Sequence, residues 1–154
     1  MTAGERGYDD VRLRIVEDAD LDAFYEYQRD PEAVRMAAAT AETREPFLDY
    51  WAEIRADRAV LAQTVLVNGN VAGYLMCWQK WGERQVGYWI DRRYWGRGVA
   101  TTALSLFLCE MTARPVRAYV AVANAGSMRV LEKCGFRRVT KQHDGPLVEY
   151  IMER

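Results

Sequence analysis

Two short segments of the sequence carry residue types at spacings suited to chemistry. In the first, Trp95-Gly96-Arg97-Gly98-Val99-Ala100-Thr101, small residues let backbone N–H groups approach a ligand closely. A helix beginning there adds partial positive charge, and phosphate or pyrophosphate is what such a turn holds. Taken alone, the segment also reads as a flexible strand-to-helix turn. Two familiar phosphate motifs are excluded. There is no Gly-x-x-x-x-Gly-Lys-Ser/Thr. The dinucleotide fingerprint wants Gly or Ala where Thr101 stands and an acidic residue about 20 positions on, whereas no Asp or Glu occurs between Glu110 and Glu132. In the second segment, Asn124 and Ser127 open the run to Gly135-Phe136. Singly, Asn124 is an ordinary helix cap and Ser127 a first-turn residue bonding its own backbone. Together with the glycine turn they suggest more, because neighbouring parallel strands aim both helix starts at one end of a sheet, where a ligand meets both.

The elements that must position these segments follow from pattern. Val11 to Val16 alternates as a half-buried strand, and Asp18 is expected to cap a helix with Asp20 and Asp22 in its first turn. Asp30-Pro31 and Glu45-Pro46 open two more helices. Ala59 to Gln79 is an uncharged run of 21 residues, long enough on paper to cross a bilayer. Asn68-Gly69 at its middle makes it a hairpin of two strands instead. A strand Gln85–Asp91 follows, with Gly87 inside it marking a bulge or the close approach of another group. Ala100, Ala103, Leu104, Phe107, Leu108 and Met111 fall on one helix face. Arg117–Asn124 is a strand, and a short helix from Ala125 ends in a Schellman turn at Gly135. Two final strands flank His143-Asp144-Gly145-Pro146. Residues 1–10 are expected to be a mobile tail and 11–154 one α/β domain, an α+β mixed sheet with helices on both faces.

Composition narrows the function. The 154 residues carry a net charge of −1, one histidine and three cysteines. His143 alone supplies no two-histidine metal site, and three cysteines make no Cys₄ site. Near-neutral charge argues against a protein devoted to nucleic-acid phosphates. Cys77, Cys109 and Cys134 are scattered and read as core fillers in a reducing compartment.

Gly87-Tyr88-Trp89-Ile90-Asp91 through Trp95–Ala100, with Asn124-x-x-Ser127 and Glu132-Lys133-Cys134-Gly135-Phe136, resembles a GNAT N-acetyltransferase, most nearly the RimJ/RimL ribosomal-protein N-terminal acetyltransferase type. The resemblance runs in order from about Val11 to Met152. It implies a GNAT-like fold, with a mostly antiparallel sheet splayed between strands 4 and 5, and acetyl-CoA as co-substrate without a metal. By that likeness, Arg97, Gly98, Val99, Ala100 and Thr101 hold the pyrophosphate, with Arg92 or Arg93 as auxiliaries. The backbone at Trp89, Ile90 and Asp91 pairs with pantetheine, and an N–H near Ile90 serves the thioester oxyanion. Asn124 and Ser127 complete the site.

The chain departs from the family pattern at three positions. Trp95 opens the pyrophosphate motif in place of Gln or Arg. Leu131 stands where many members carry a tyrosine acid, which makes Ser127 the donor to the thiol side. Gln85 replaces a glutamate, so Glu83, two residues earlier on the same strand face, is the candidate base. Phe24, Tyr25, Tyr27, Trp78, Trp81 and Trp89 are either core or walls for an ammonium. The acidic run Asp18 to Glu32 is a solvated face or an attractor of cations.

The expected function is acetyl transfer to a primary amine, a protein N-terminus or a small molecule, by direct attack in a ternary complex. A catalytically weak acyl-CoA sensor is the alternative. The expected setting is cytoplasmic, as a monomer or homodimer, with no nucleic-acid or membrane partner.

Overall fold

The computed structural model describes residues 9–154. Strand β1 (Val11–Ile15) is followed by helices α1 (Asp20–Tyr27), α2 (Pro31–Ala37) and α3 (Arg44–Ala56). Strands β2 (Leu61–Val67), β3 (Asn70–Lys80) and β4 (Glu83–Ile90) form an antiparallel meander. A 3₁₀ turn (Arg92–Tyr94) leads to α4 (Val99–Glu110), β5 (Arg117–Ala121), α5 (Ala125–Lys133), β6 (Arg137–Asp144) and β7 (Leu147–Glu153). The seven strands lie in the order β1-β2-β3-β4-β5-β7-β6, and β4–β5 is the parallel pair. This is the mixed, mostly antiparallel α/β sheet that the sequence predicts.

Local chemistry explains most boundaries. Asn68 and Gly69 both take positive φ in the β2–β3 turn, the geometry of a two-residue hairpin. Asp30 caps α2 by accepting the Glu32 N–H. The N–H of Phe136 reaches Leu131 O and that of Gly135 reaches Glu132 O, which completes the Schellman turn. The apolar stripe of α4 packs with Val65, Leu75, Val86, Val120 and Met152 on one sheet face. On the other face Phe24, Phe47, Trp51 and Ile54 of α1 and α3 pack with Met76.

Four expectations change. Residues 1–8 of the expected tail lie outside the described residues, while Asp10 N–H donates to Asn68 Oδ1 (2.8 Å) and Asp9 pairs with Arg97 (2.7 Å). Gly87 marks no bulge, since the β3–β4 register is unbroken through Met76↔Gly87. A Cβ there would stand 3.1 Å from the Trp78 ring, so close approach of that indole explains the glycine. Asp18 does not cap α1; it is exposed and pairs with Arg55. His143 lies within β6, exposed and paired with Val148, rather than in the turn.

Asp20 is the reason for the displaced cap. It is 2% exposed and accepts from both Arg14 guanidinium nitrogens (2.7 and 2.9 Å), Glu17 N–H (2.9 Å) and Thr64 Oγ1 (2.6 Å). Burial raises its pKa, but these donors outweigh burial and hold it below the usual carboxylate range. One carboxylate thus ties β1, the start of α1 and β2 together. The Asp20→Ala variant, which strands Arg14 and Thr64, is expected to lose about 3 kcal/mol in urea unfolding. Because the folded-state pKa is depressed, that contribution is complete above the unfolded value and drains as pH falls through the folded one. The gap between wild type and variant should therefore hold near neutrality and narrow on acidification.

Candidate active site

Strand β4 keeps eight paired positions with β3, but it meets β5 at one pair, Gln85↔Arg117. β5 instead pairs along its length with β7. The sheet is therefore two half-sheets joined at one point, and β4 and β5 diverge beyond it. Asp91 N–H donates to Ala72 O (2.8 Å). Antiparallel alternation then turns the backbone groups of residues 85, 87 and 89 toward β3 and those of 86, 88 and 90 toward the gap. Trp95 Nε1 confirms that direction by donating to Ile90 O at 2.8 Å. Trp95 thus fastens the glycine turn to β4, and the N–H of Ile90 faces the cleft.

The gap opens into a cavity of about 460 Å³. At one end lies the glycine turn, where Gly96 and Gly98 sit at φ +73° and +75°, a region that L side chains rarely adopt. Gly98 is the α4 N-cap residue and no side chain caps the helix. The first helical bond is Thr102 N–H to Gly98 O, so the N–H groups of Val99, Ala100 and Thr101 have no intrahelical acceptor. All three residues line the cavity, as do Gly98, Trp89 and Ile90. Free N–H groups at a helix start, with the helix dipole behind them, are the chemistry that suits an anion.

Three sequence-predicted ligand residues stand elsewhere. Asp91 is buried and engages Arg93 and its N–H. Arg92 pairs with Asp30 at 3.2 Å and Arg97 with Asp9 at 2.7 Å; none of the three lines the cavity. Their carboxylates lie 62 and 88 residues away in the chain, out of reach of a local reading. In their place the cavity wall carries Arg129 and Lys133 of α5, which form no ion pair with the described residues. Their i, i+4 spacing on a helix after the Asn124 cap was the available sequence signal.

At the start of α5, Asn124 Oδ1 accepts the Ser127 N–H at 3.1 Å, the ordinary cap. Both residues line the cavity. Ser127 Oγ lies 2.7 Å from the Tyr88 hydroxyl, a partner that sequence reasoning missed. Burial pushes the Tyr88 phenol up to about 12, and its bond to Ser127 only partly offsets this. Leu131, one turn on, is 1% exposed in the core and offers no donor.

Glu83 opens β4, so the strand does reach that far. It does not line the cavity; it accepts from Arg117 (2.8 Å) and Tyr119 OH (2.7 Å), and Arg117 also pairs with Glu153. Gln85, buried on the same strand face, has an Nε2 without a partner. Phe24 is core, Trp81 is 75% exposed beneath Lys80, and Trp89 lines the cavity. Cys77 and Cys134 are buried with raised pKa values, and Cys109 is exposed. No helix of the described residues is long and apolar enough to cross a membrane.

A family model described as an acetyltransferase (GNAT) domain matches residues 10–137. Over 57 residues the chain is 39% identical to a probable N-acetyltransferase, YjcK, of Bacillus subtilis (strain 168). That match covers 34% of the chain and 32% of the relative, about a third of its length. Among solved structures, spermidine N-acetyltransferase from Vibrio cholerae, in complex with CoA and spermine, superposes with a TM-score of 0.81 at 16% identity, covering 94% of each chain. RimL, a ribosomal L7/L12 alpha-N-protein acetyltransferase in complex with CoA, gives 0.82 at 14% identity, covering 94% of this chain and 93% of that one. At these identities the likeness is one of fold.

Proposed function

The chain belongs to the GNAT acetyltransferase family, and from that premise we propose that it moves the acetyl group of acetyl-CoA to a primary amine, with residues 11–154 as one cytoplasmic catalytic domain. One observation carries the reading. Beyond Gln85↔Arg117 the sheet opens into a cleft with an uncapped helix N-terminus at one end and a half-buried hydroxyl pair beside it. An elongated ligand with phosphates, amides and a thioester has the matching sequence of groups.

In this reading the N–H groups of Val99, Ala100 and Thr101 hold the pyrophosphate, with Arg129 and Lys133 adding charge-assisted bonds. The exposed edge of β4 at residues 86–90 pairs with the pantetheine amides as an added strand would, and the Ile90 N–H receives the developing oxyanion. The amine attacks the acetyl carbon, the C–S bond breaks with its electron pair going to sulfur, and the amine's proton leaves to a base. Ser127 donates a hydrogen bond to the departing thiolate, while Asn124 positions Ser127 by capping α5. Glu83 is the candidate base, acting through water from the opposite sheet face. There Glu83 accepts from Arg117, which it shares with Glu153, and from Tyr119 OH. The Asn124-x-x-Ser127 pattern and the RimL likeness support the RimJ/RimL-type branch, with a protein N-terminus or a small amine as acceptor.

The deciding experiment mixes the protein with acetyl-CoA and a panel of amines and N-terminal peptides and follows free thiol. Amine-dependent release supports the reading. Tight CoA binding without release assigns the protein to acyl-CoA sensing, for which the replacement of a base by Gln85 is the motive.

Three variants test the parts. Replacing Arg129 and Lys133 together by Ala should weaken CoA by about tenfold or more, as expected for lost charge-assisted bonds, yet leave pantetheine, which has no phosphates, unaffected in calorimetry. Ser127→Ala should lower kcat by roughly tenfold while CoA affinity changes little; unchanged turnover returns Ser127 to a structural role. Glu83→Gln should depress the rate near neutrality by roughly 100-fold. That deficit should shrink as pH rises and the amine deprotonates without help. An unaltered pH profile confines Glu83 to its ion pair with Arg117.

A further inference from the structure

Tyr88 lies on the β4 side of the cleft and Ser127 on the α5 side, and their hydroxyl oxygens stand 2.7 Å apart across it. This is a side-chain bond from β4 to the start of α5, the helix that follows β5, at the place where β4–β5 backbone pairing has stopped. The two hydroxyls have two protons between them, so their direction matters. A second acceptor, Ser127 O, lies 3.3 Å from the Tyr88 oxygen, and both acceptors belong to Ser127. The phenol keeps its proton at neutral pH, because its site is largely desolvated and an unpaired phenolate there would be costly. Either hydroxyl can donate in the 2.7 Å contact; with the phenol donating to Oγ, the nearer acceptor, the serine proton is free to point into the cavity.

We propose that Tyr88 is the positioning residue for the thiolate donor: its O–H donates to Ser127 Oγ, orients the serine proton toward the CoA sulfur and strengthens that bond through the polarised pair. Tyr88 transfers no proton. The amine nitrogen forms its bond to the acetyl carbon, the C–S electron pair goes to sulfur, and the thiolate leaves hydrogen-bonded by Ser127. The proton released by the amine balances the charge. A phenol suits this role because its bulk reaches across the gap from a strand while its single proton fixes the direction of the pair. Leu131, buried one turn beyond Ser127, provides no competing donor.

The inference rests on the acetyl-CoA reading, and the test separates the two. CoA is bound to wild type, Tyr88→Phe, Ser127→Ala and the double variant, and thiolate absorbance in the ultraviolet is titrated against pH. Donation to sulfur lowers the thiol pKa of bound CoA. Tyr88→Phe should raise it by roughly one unit, a tenfold loss of thiolate stabilisation. Ser127→Ala should raise it at least as far, and the double variant no further than Ser127→Ala, since the two act in series. CoA affinity and melting temperature, measured alongside, should stay near wild type in Tyr88→Phe, and kcat should fall about tenfold with little change in KM. Wild type that does not bind CoA overturns the cofactor reading itself. CoA bound with the same thiol pKa in wild type and Tyr88→Phe overturns the role of Tyr88 alone, as does an additive double variant.

Discussion

The rest of the architecture depends on the sheet being held together at one pair between β4 and β5. A sheet interrupted in its middle leaves strand-edge N–H and C=O groups inside the protein, where unpaired backbone is costly. On the β5 side, β7 pairs with the far edge at five positions, which holds β5 in place without β4 and leaves its gap-facing groups open. On the β4 side, Trp95 returns its indole N–H to Ile90 O, satisfying one carbonyl and fixing the glycine turn against the gap. The groups that remain open on β4 form a continuous edge facing a cavity, the condition for a ligand to add itself as a strand.

The separation of the half-sheets also distributes charge. Ser127 and Tyr88 lie beside the α4–α5 layer, while Glu83, Gln85, Arg117 and Glu153 point to the other face of the sheet by strand alternation. In the proposed reaction, a leaving thiolate is met on one face and an attacking amine is deprotonated on the other. A base and a donor placed on the same side would pair with each other. With the sheet between them, each keeps its own partners, carboxylate with guanidinium and serine with phenol. Asp20 supports this arrangement from a distance, because its bonds to Arg14 and Thr64 hold the start of α1 on the sheet face that Glu83 shares.

What could be read from the sequence was whatever depends on neighbours in the chain. The Asn68-Gly69 hairpin, the Asp30 and Asn124 caps, the Gly135 turn and the glycine turn that starts α4 each follow from residues within one or two turns. The fold class followed from the order of those elements, and the strand parting from a family resemblance. The unread features are long-range pairings. Arg97 sits in the phosphate motif but is claimed by Asp9, and Arg92 by Asp30. A guanidinium goes to the carboxylate the fold brings to it. Asp20 looked like a first-turn acid on a solvated face, and only the register of β1 with β2 placed Thr64 and Arg14 around it. Nothing in a strand pattern tells which tyrosine hydroxyl finds a partner across a gap, and the partner of Tyr88 lies 39 residues on in the chain.

The Tyr88–Ser127 bond bears on the departure at residue 131. A helical side chain covers the turn before its own Cα, so a long side chain at 131 would lie over the turn that holds Ser127. Leucine there packs into the core, and the hydroxyl arrives at the same turn from β4. The change of element alters the physics of the donor. A hydroxyl carried by α5 would move with α5, whereas one carried by β4 ties the helix start to the strand that is proposed to bind the pantetheine. Any widening of the gap that lengthens this 2.7 Å contact would then weaken the serine's hold on sulfur. In the proposed reaction, ligand binding along β4 and donor alignment at Ser127 are thus coupled through one hydrogen bond between β4 and the start of α5.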